Sequence, residues 1–203
     1  MPAAEDGVVL DLGRTGLPLS GEGVFGRPCP LEVEIGAGKG RFLLAWAEAN
    51  PDRGFIAVER ARKYLLLAAA RASRGGRDNV RFVHTTAEDL LFRCLAPGSI
   101  AGVHVYFSDP WPKKRHHKRR FLNPANVHRV AEVLAPGGVL RVKTDHAGYA
   151  EAIGEVLAAE PLLEPLDDGP AFAGVPPTSF EAKYEKESRP VYRWACRKGG
   201  GEG

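Results

Sequence analysis

A chain of 203 residues has the length of one domain, and its make-up, 44% hydrophobic and 26% charged, is that of a globular protein, not a disordered or fibrous one. No apolar run approaches the roughly 20 residues a membrane span requires, and the acidic N-terminus lacks the basic and apolar regions of a signal peptide, so a cytoplasmic protein without a membrane partner is expected. The net charge of +3 is held unevenly: Lys113 to Arg120 reads KKRHHKRR, six of the 28 basic residues with no acid, leaving 22 bases against 25 acids elsewhere, so a polyanion is expected to dock at one place.

Residues 1–30 are rich in Gly and Pro, show no sustained period and end in GRPCP, and they read as a flexible N-terminal arm ahead of a single domain over 31–203. From Leu31, short β-branched runs alternate with longer Ala- and Leu-rich stretches. Strands are predicted at 31–35, 54–59, 80–84, 101–107 and 138–144. Helices are predicted at 41–50, 61–73, briefly near 87–93, and at 121–135 and 147–160. In the second helix Tyr64, Leu67, Ala68 and Arg71 fall at i, i+3, i+4 and i+7 and read as the amphipathic face. Residues 165–189 read as loop, and PVYRWACRK (190–198) as a closing strand. Such alternating units predict an α/β protein with a Rossmann-like, doubly wound, mostly parallel sheet. Cys29, Cys94 and Cys196 lie far apart without a CxxC or CxxH spacing, so they read as small buried residues and no metal is expected.

After the first predicted strand comes Glu34-Ile35-Gly36-Ala37-Gly38-Lys39-Gly40. Glycines at alternate positions let the backbone turn sharply and approach a ligand, although a structural tight turn has the same appearance. The spacing is GxGxG and not the GxGxxG that seats a pyrophosphate. The next strand ends in Glu59, 19 residues past Gly40, where an acid can accept hydrogen bonds from two ribose hydroxyls. Glu34 would repel a phosphate but suits the ammonium and sulfonium charges of S-adenosyl-L-methionine. The fourth strand runs into Phe107-Ser108-Asp109-Pro110-Trp111-Pro112-Lys113. Ligands bind beyond the carboxyl ends of such strands, so Asp109 is expected to face the methyl donor, with the prolines stiffening the turn and Trp111 free to pack or to stack on a base. The basic run follows at once, where cations grip the phosphates of a large nucleic acid.

EIGAGKG, AVER, FSDPWPKKRHHKRR, KTD and TSFE, in this order between about Phe25 and Arg197, strongly resemble the bacterial tRNA (guanine-N7)-methyltransferase family. The resemblance implies a class I methyltransferase fold, its mostly parallel sheet completed by an antiparallel C-terminal strand, and methyl transfer from S-adenosyl-L-methionine to N7 of the variable-loop guanine of tRNA. It implies that Glu34, Glu59 and Asp109 line the cofactor, beside Gly36 and Gly38 of the glycine turn. The family's acid after the third strand falls on Thr86, an uncharged departure that is still expected to bind the cofactor, donating and accepting a hydrogen bond near the adenine. By the same resemblance Lys113, Asp145, Thr178, Ser179, Phe180 and Glu181 contact the substrate, and Arg115, His116, His117, Lys118, Arg119 and Arg120 touch tRNA. Guanine N7 already carries a lone pair, so no base is needed to expose the nucleophile, and Asp109 is the candidate catalytic carboxylate for the charge that develops on the purine. Rival readings are an adenine or glutamine amino-methyltransferase, an RNA-binding module without catalysis and, more remotely, an NAD-dependent dehydrogenase. Monomer and homodimer both remain open.

Overall fold

All five residues of Leu31–Ile35 (LEVEI) are buried, and so are all five of Gly54–Val58 (GFIAV); two glutamates in a fully buried strand already mark the first as unusual. Burial on both faces is what a central parallel strand requires, because crossover helices cover the sheet on each side. The computed structural model describes residues 7–200. Its elements in chain order begin with β1 (Val9–Leu10), α1 (Gly21–Phe25), β2 (Leu31–Ile35), α2 (Arg41–Ala49), β3 (Gly54–Val58), α3 (Arg62–Arg74) and β4 (Val80–Val83). Next come α4 (Ala87–Asp89), which runs on as a π-helical turn over Leu90–Cys94, β5 (Ile100–Tyr106), a 3₁₀ turn at Lys114–Arg119, α5 (Pro124–Val133) and β6 (Leu134–Thr144). The chain ends in α6 (Ala147–Ala159), β7 (Leu163–Pro165), α7 (Asp168–Ala171), α8 (Ser179–Lys186) and β8 (Tyr192–Lys198).

The strands form one eight-stranded sheet in the order β1-β4-β3-β2-β5-β6-β8-β7. Pairings from β1 through β6 are parallel, and β8 runs antiparallel to both β6 and β7. The chain winds outward from β2 through β3 and β4, then returns to β5 on the other side of β2. That reversal makes the carboxyl ends of β2 and β5 the switch point where a doubly wound sheet opens a crevice.

The predicted Rossmann-like sheet and its antiparallel C-terminal strand are both present, with the main strands displaced by a residue or so, except that β6 begins at Leu134. Three differences have physical causes. The buried face of α3 is Leu65, Ala68, Ala69 and Ala72, whereas Tyr64 and Leu67 are 43% and 41% exposed, so the expected face is rotated by one residue. An alanine-rich helix has several equivalent periodic faces, and close approach to the sheet selects the one with the smallest side chains. Within the segment read as an arm, Val9–Leu10 pairs with β4 and Leu19 is 1% exposed; residues 1–6 of that segment lie outside the described part. The stretch read as loop over 165–189 contains α8, whose start is a full capping box: the Thr178 hydroxyl accepts from Glu181 N–H and the Glu181 carboxylate accepts from Thr178 N–H. That T-x-x-E signal stood in the sequence as TSFE. Among the described residues no helix is long and apolar enough to cross a membrane.

Candidate active site

A cleft of about 370 Å³ opens at the switch point between β2 and β5. Its floor is the turn from β2 into α2. Gly36, Gly38 and Gly40 adopt φ of 79°, 53° and 73°, left-handed values that cost L residues with a Cβ. Gly40 answers to packing as well: a Cβ there would lie 2.9 Å from that of Ala68 on α3. The turn is tied to its neighbour strand, since the Gly36 N–H donates to the Val58 carbonyl at 3.0 Å and the Gly38 N–H to Glu59 Oε2 at 2.8 Å. Glu59 Oε1 accepts from the Ala61 N–H at 2.7 Å. Glu59 therefore clamps the glycine turn, and each oxygen keeps a lone pair for a ribose hydroxyl.

Glu34 closes the floor at the end of β2. It is 4% exposed, and its Oε2 is the one buried side-chain polar atom among the described residues without a hydrogen-bond partner. Burial, and then the charge of Glu59, push its carboxyl up to about 8. An orphaned carboxylate oxygen beside a glycine cradle wants a cationic donor. The ammonium of a bound S-adenosyl-L-methionine meets that need, and the sulfonium charge adds to it, so these residues fit the cofactor.

Beneath Glu34 lies a buried polar network that the sequence reading missed. Glu32 accepts from Trp46 Nε1 at 2.8 Å, from His104 Nε2 at 2.7 Å and from the Arg53 guanidinium. Burial alone would raise its carboxyl, but the His104 and Trp46 hydrogen bonds and the neighbouring charges override it and hold it down to about 2. An ionised carboxylate only accepts, so Nε2 of His104 carries the proton and Nδ1 accepts from the Tyr106 hydroxyl at 2.9 Å. Tyr106, at the end of β5, is thus held with its ring against Phe42 of α2, and both line the cleft.

Beyond Tyr106 the chain leaves the sheet through Phe107 and Trp111, both non-glycine residues with left-handed φ, 54° and 42°. Such conformations persist only where surroundings enforce them. Here the Tyr149 hydroxyl lies 3.4 Å from Ser108 Oγ and accepts the Leu122 N–H at 3.1 Å. Arg120 donates to the Pro110 carbonyl at 2.8 Å while its guanidinium lies over the Tyr149 ring. Arg120 is buried, at 8% exposure, which corrects its expected place on the RNA surface: it braces the turn from inside. Lys113, Lys114, Arg115, Lys118 and Arg119 are exposed, His116 and His117 half-buried. Arg119 stacks on Trp111 at 4.9 Å and His116 meets the same ring edge-on at 5.7 Å, so the 3₁₀ turn folds the run back over the Trp. The Asp109 carboxylate is exposed at the tip of this turn, two residues past Phe107, which lines the cleft; Asp109 itself stands outside the lining.

The far wall is the first turn of α8. Thr178, Ser179 and Phe180 line the cleft, Phe180 being 51% exposed and packed on Phe107 at 5.5 Å. Glu181, expected to contact the substrate, has both oxygens engaged within the chain, since the one not taken by Thr178 N–H accepts a salt bridge from the buried Lys143 at 2.7 Å that fastens α8 to β6. Asp145 pairs with Arg189 at 2.9 Å. Thr86 caps α4, its hydroxyl accepting from Asp89 N–H and donating to the Asp89 carboxylate, so its hydrogen-bonding capacity is largely spent inside the chain. Tyr64, Arg41 and Lys183, none of them read as a site residue from the sequence, also line the cleft. Their signal, exposed side chains near the starts of α2 and α3 and on α8, needs the fold to be seen.

A doubly wound sheet whose central turn is a glycine cradle with an acid on either side, facing a strand tip across the switch point, defines a class I methyltransferase, whose methyl donor is S-adenosyl-L-methionine. The family model described as "Putative methyltransferase" matches residues 28–194. A tRNA (guanine-N(7)-)-methyltransferase of Mycobacterium avium is 47% identical over 180 residues, 87% of this chain and 70% of that protein. One from Nocardia farcinica is 49% identical over 151 residues, 74% of this chain and 56% of that protein. The chain belongs to the tRNA (guanine-N7)-methyltransferase family. Among solved structures, the 16S rRNA methyltransferase KamB superposes with a TM-score of 0.61 at 17% identity, covering 84% of this chain and 88% of that one. A Haemonchus contortus phosphoethanolamine N-methyltransferase with bound S-adenosyl-L-methionine does so with a TM-score of 0.57 at 14% identity, covering 87% and 50%. At such identities the likeness is one of fold.

Proposed function

We infer that this protein transfers the methyl group of S-adenosyl-L-methionine to N7 of the variable-loop guanine of tRNA, forming N7-methylguanosine. The observation that carries the reading is adjacency: a donor cradle with an orphaned buried carboxylate, Glu34, opens next to a braced Asp-Pro-Trp turn that runs straight into an exposed basic surface. The relatives named above support the same substrate, and tRNA as substrate implies a cytoplasmic location.

When bound, the cofactor supplies a methyl group on a cationic sulfur. Glu34 and the glycine turn hold its amino-acid end, and the Glu59 carboxylate takes the ribose hydroxyls with its remaining lone pairs. Guanine N7 needs no general base. As positive charge spreads over the purine, the Asp109 carboxylate, aimed at the N1–H and amino edge, stabilises it and rejects adenine, whose edge differs. The enforced φ values of Phe107 and Trp111 and the Arg120 and Tyr149 braces keep Asp109 in place. Thr178 to Phe180 form the opposite wall, and Lys113 to Arg119 seat the phosphates. The test is incubation with methyl-labelled S-adenosyl-L-methionine and unmodified tRNA, followed by identification of the labelled nucleoside. Label in N7-methylguanosine is the expected result. Binding of tRNA with no label in any nucleoside would instead leave an RNA-binding module.

A further inference from the structure

The charge of this protein is concentrated in a second place that only the fold brings to the cleft. Residues 60–77 contain six basic side chains and no acid, as many bases as the KKRHHKRR run. Arg60, Arg62 and Lys63 stand together where β3 passes into α3, and all three are exposed. Helix stability does not explain them. The first turn of α3 contains no acid and its N-cap, Ala61, has no side-chain cap, so these cations sit at the positive end of the helix dipole, where they oppose it. Nor are they neutralised: Arg77, at the other end of the helix, pairs with Glu48 at 2.7 Å, but Arg60, Arg62 and Lys63 form no ion pair among the described residues.

The sheet order says where they lie. The strands β3 and β5 flank β2, so the loop after β3 and the basic run after β5 stand on opposite rims of the cleft. Between them Lys39 and Arg41 are exposed along the glycine turn, and Tyr64, next to Lys63, is a large exposed ring lining the cleft. An aromatic platform among unpaired cations is the arrangement that holds a nucleic-acid backbone while stacking on an unpaired base.

We propose that Arg60, Arg62 and Lys63, with Tyr64 beside them, form a second tRNA-binding surface, so that the tRNA lies across the cleft and is held on both rims. This rests on the tRNA reading given above. A phosphate gripped at each rim fixes the RNA in two places, and the guanine between them is presented to the donor without any single contact having to position it.

The test is the salt dependence of binding to unmodified tRNA. The double variant Arg62→Gln/Lys63→Gln is expected to bind more weakly, with the slope of log affinity against log salt flatter by about 1.4–1.8, while its S-adenosyl-L-methionine affinity and thermal midpoint are kept. Arg60→Gln alone is expected to flatten the slope by about 0.7–0.9, an independent reading if the double variant folds poorly. The control Arg77→Gln/Arg197→Gln removes the same charge from ion-paired residues, paired with Glu48 and Glu164, and is expected to keep the wild-type slope. Wild-type slopes in both the double variant and Arg60→Gln, or equal flattening in the control, would overturn the proposal and leave only a long-range field. Failure of the underlying reading looks different, because the wild-type protein would then put no label into tRNA guanine at all.

Discussion

Glu32 and Glu34 are two residues apart on one strand, so both point to the same face of the sheet, yet their surroundings drive them in opposite directions. Glu32 has three donors and is held down to about 2; Glu34 lacks a donor on one oxygen and is pushed up to about 8. The sign of the consequence follows. In the donor-free protein the folded state keeps a proton on Glu34 that the unfolded chain releases near 4.5, so this stabilisation is complete at low pH and is lost as pH rises towards about 8. The full difference is at most about 5 kcal/mol. Thermal midpoints of the donor-free protein are therefore expected to fall between pH 6 and 8.5, with Glu34→Gln flattening that fall and bound S-adenosyl-L-methionine reversing it. A wild-type midpoint that holds level across that range would show Glu34 already ionised. At the same scale, Asp109→Ala is expected to abolish methyl transfer while tRNA affinity stays within about twofold, because the phosphate contacts lie elsewhere; near-normal turnover would remove Asp109 from the reaction.

At the scale of elements, α8 forms a wall of the cleft, and two contacts set it there: the capping box at Thr178 and the Lys143–Glu181 salt bridge. Thr178→Ala is expected to cost about 1 kcal/mol of stability and to weaken donor binding, since Ser179 and Phe180 lose their fixed position. Hydrogen exchange would localise the loss to residues 178–186, and exchange rates there equal to wild type would make the cap dispensable. The sheet strands and the glycine turn could be read from the sequence because burial and the lack of Cβ atoms leave a local pattern. The role of Glu181 could not, because the residue that claims its carboxylate, Lys143, is 38 positions away and meets it only when β6 and α8 pack. The same holds for Thr86: it stands where the family pattern has an acid, and Asp89, one helical turn on, engages its hydroxyl only once α4 forms. For α3 the pattern was legible and ambiguous, and packing against Gly40 and Phe82 favoured the alanine face.

Across the whole molecule, the run from Lys113 to Arg120 divides into a surface and a brace, although its sequence is uniformly basic. Changing Arg115, Lys118 and Arg119 to Gln is expected to flatten the salt dependence of tRNA binding by about 2–3 while leaving donor affinity intact. Arg120→Gln is expected to do the reverse, leaving the slope near wild type but lowering turnover and thermal midpoint, since it frees the Pro110 carbonyl and uncovers Tyr149. Equal slope changes per charge at all four positions would refute the division. Tyr149 also sets a thermodynamic condition on the encounter with RNA. Its hydroxyl touches Ser108 and Leu122, the two ends of the excursion that carries the cations, so the segment is drawn shut at its neck before any tRNA arrives. The entropy of closing a loop is then lost once, during folding, and need not be lost again at each binding event. Loosening the neck with Tyr149→Phe would move that cost into association, appearing as a more unfavourable binding entropy with the same number of phosphate contacts.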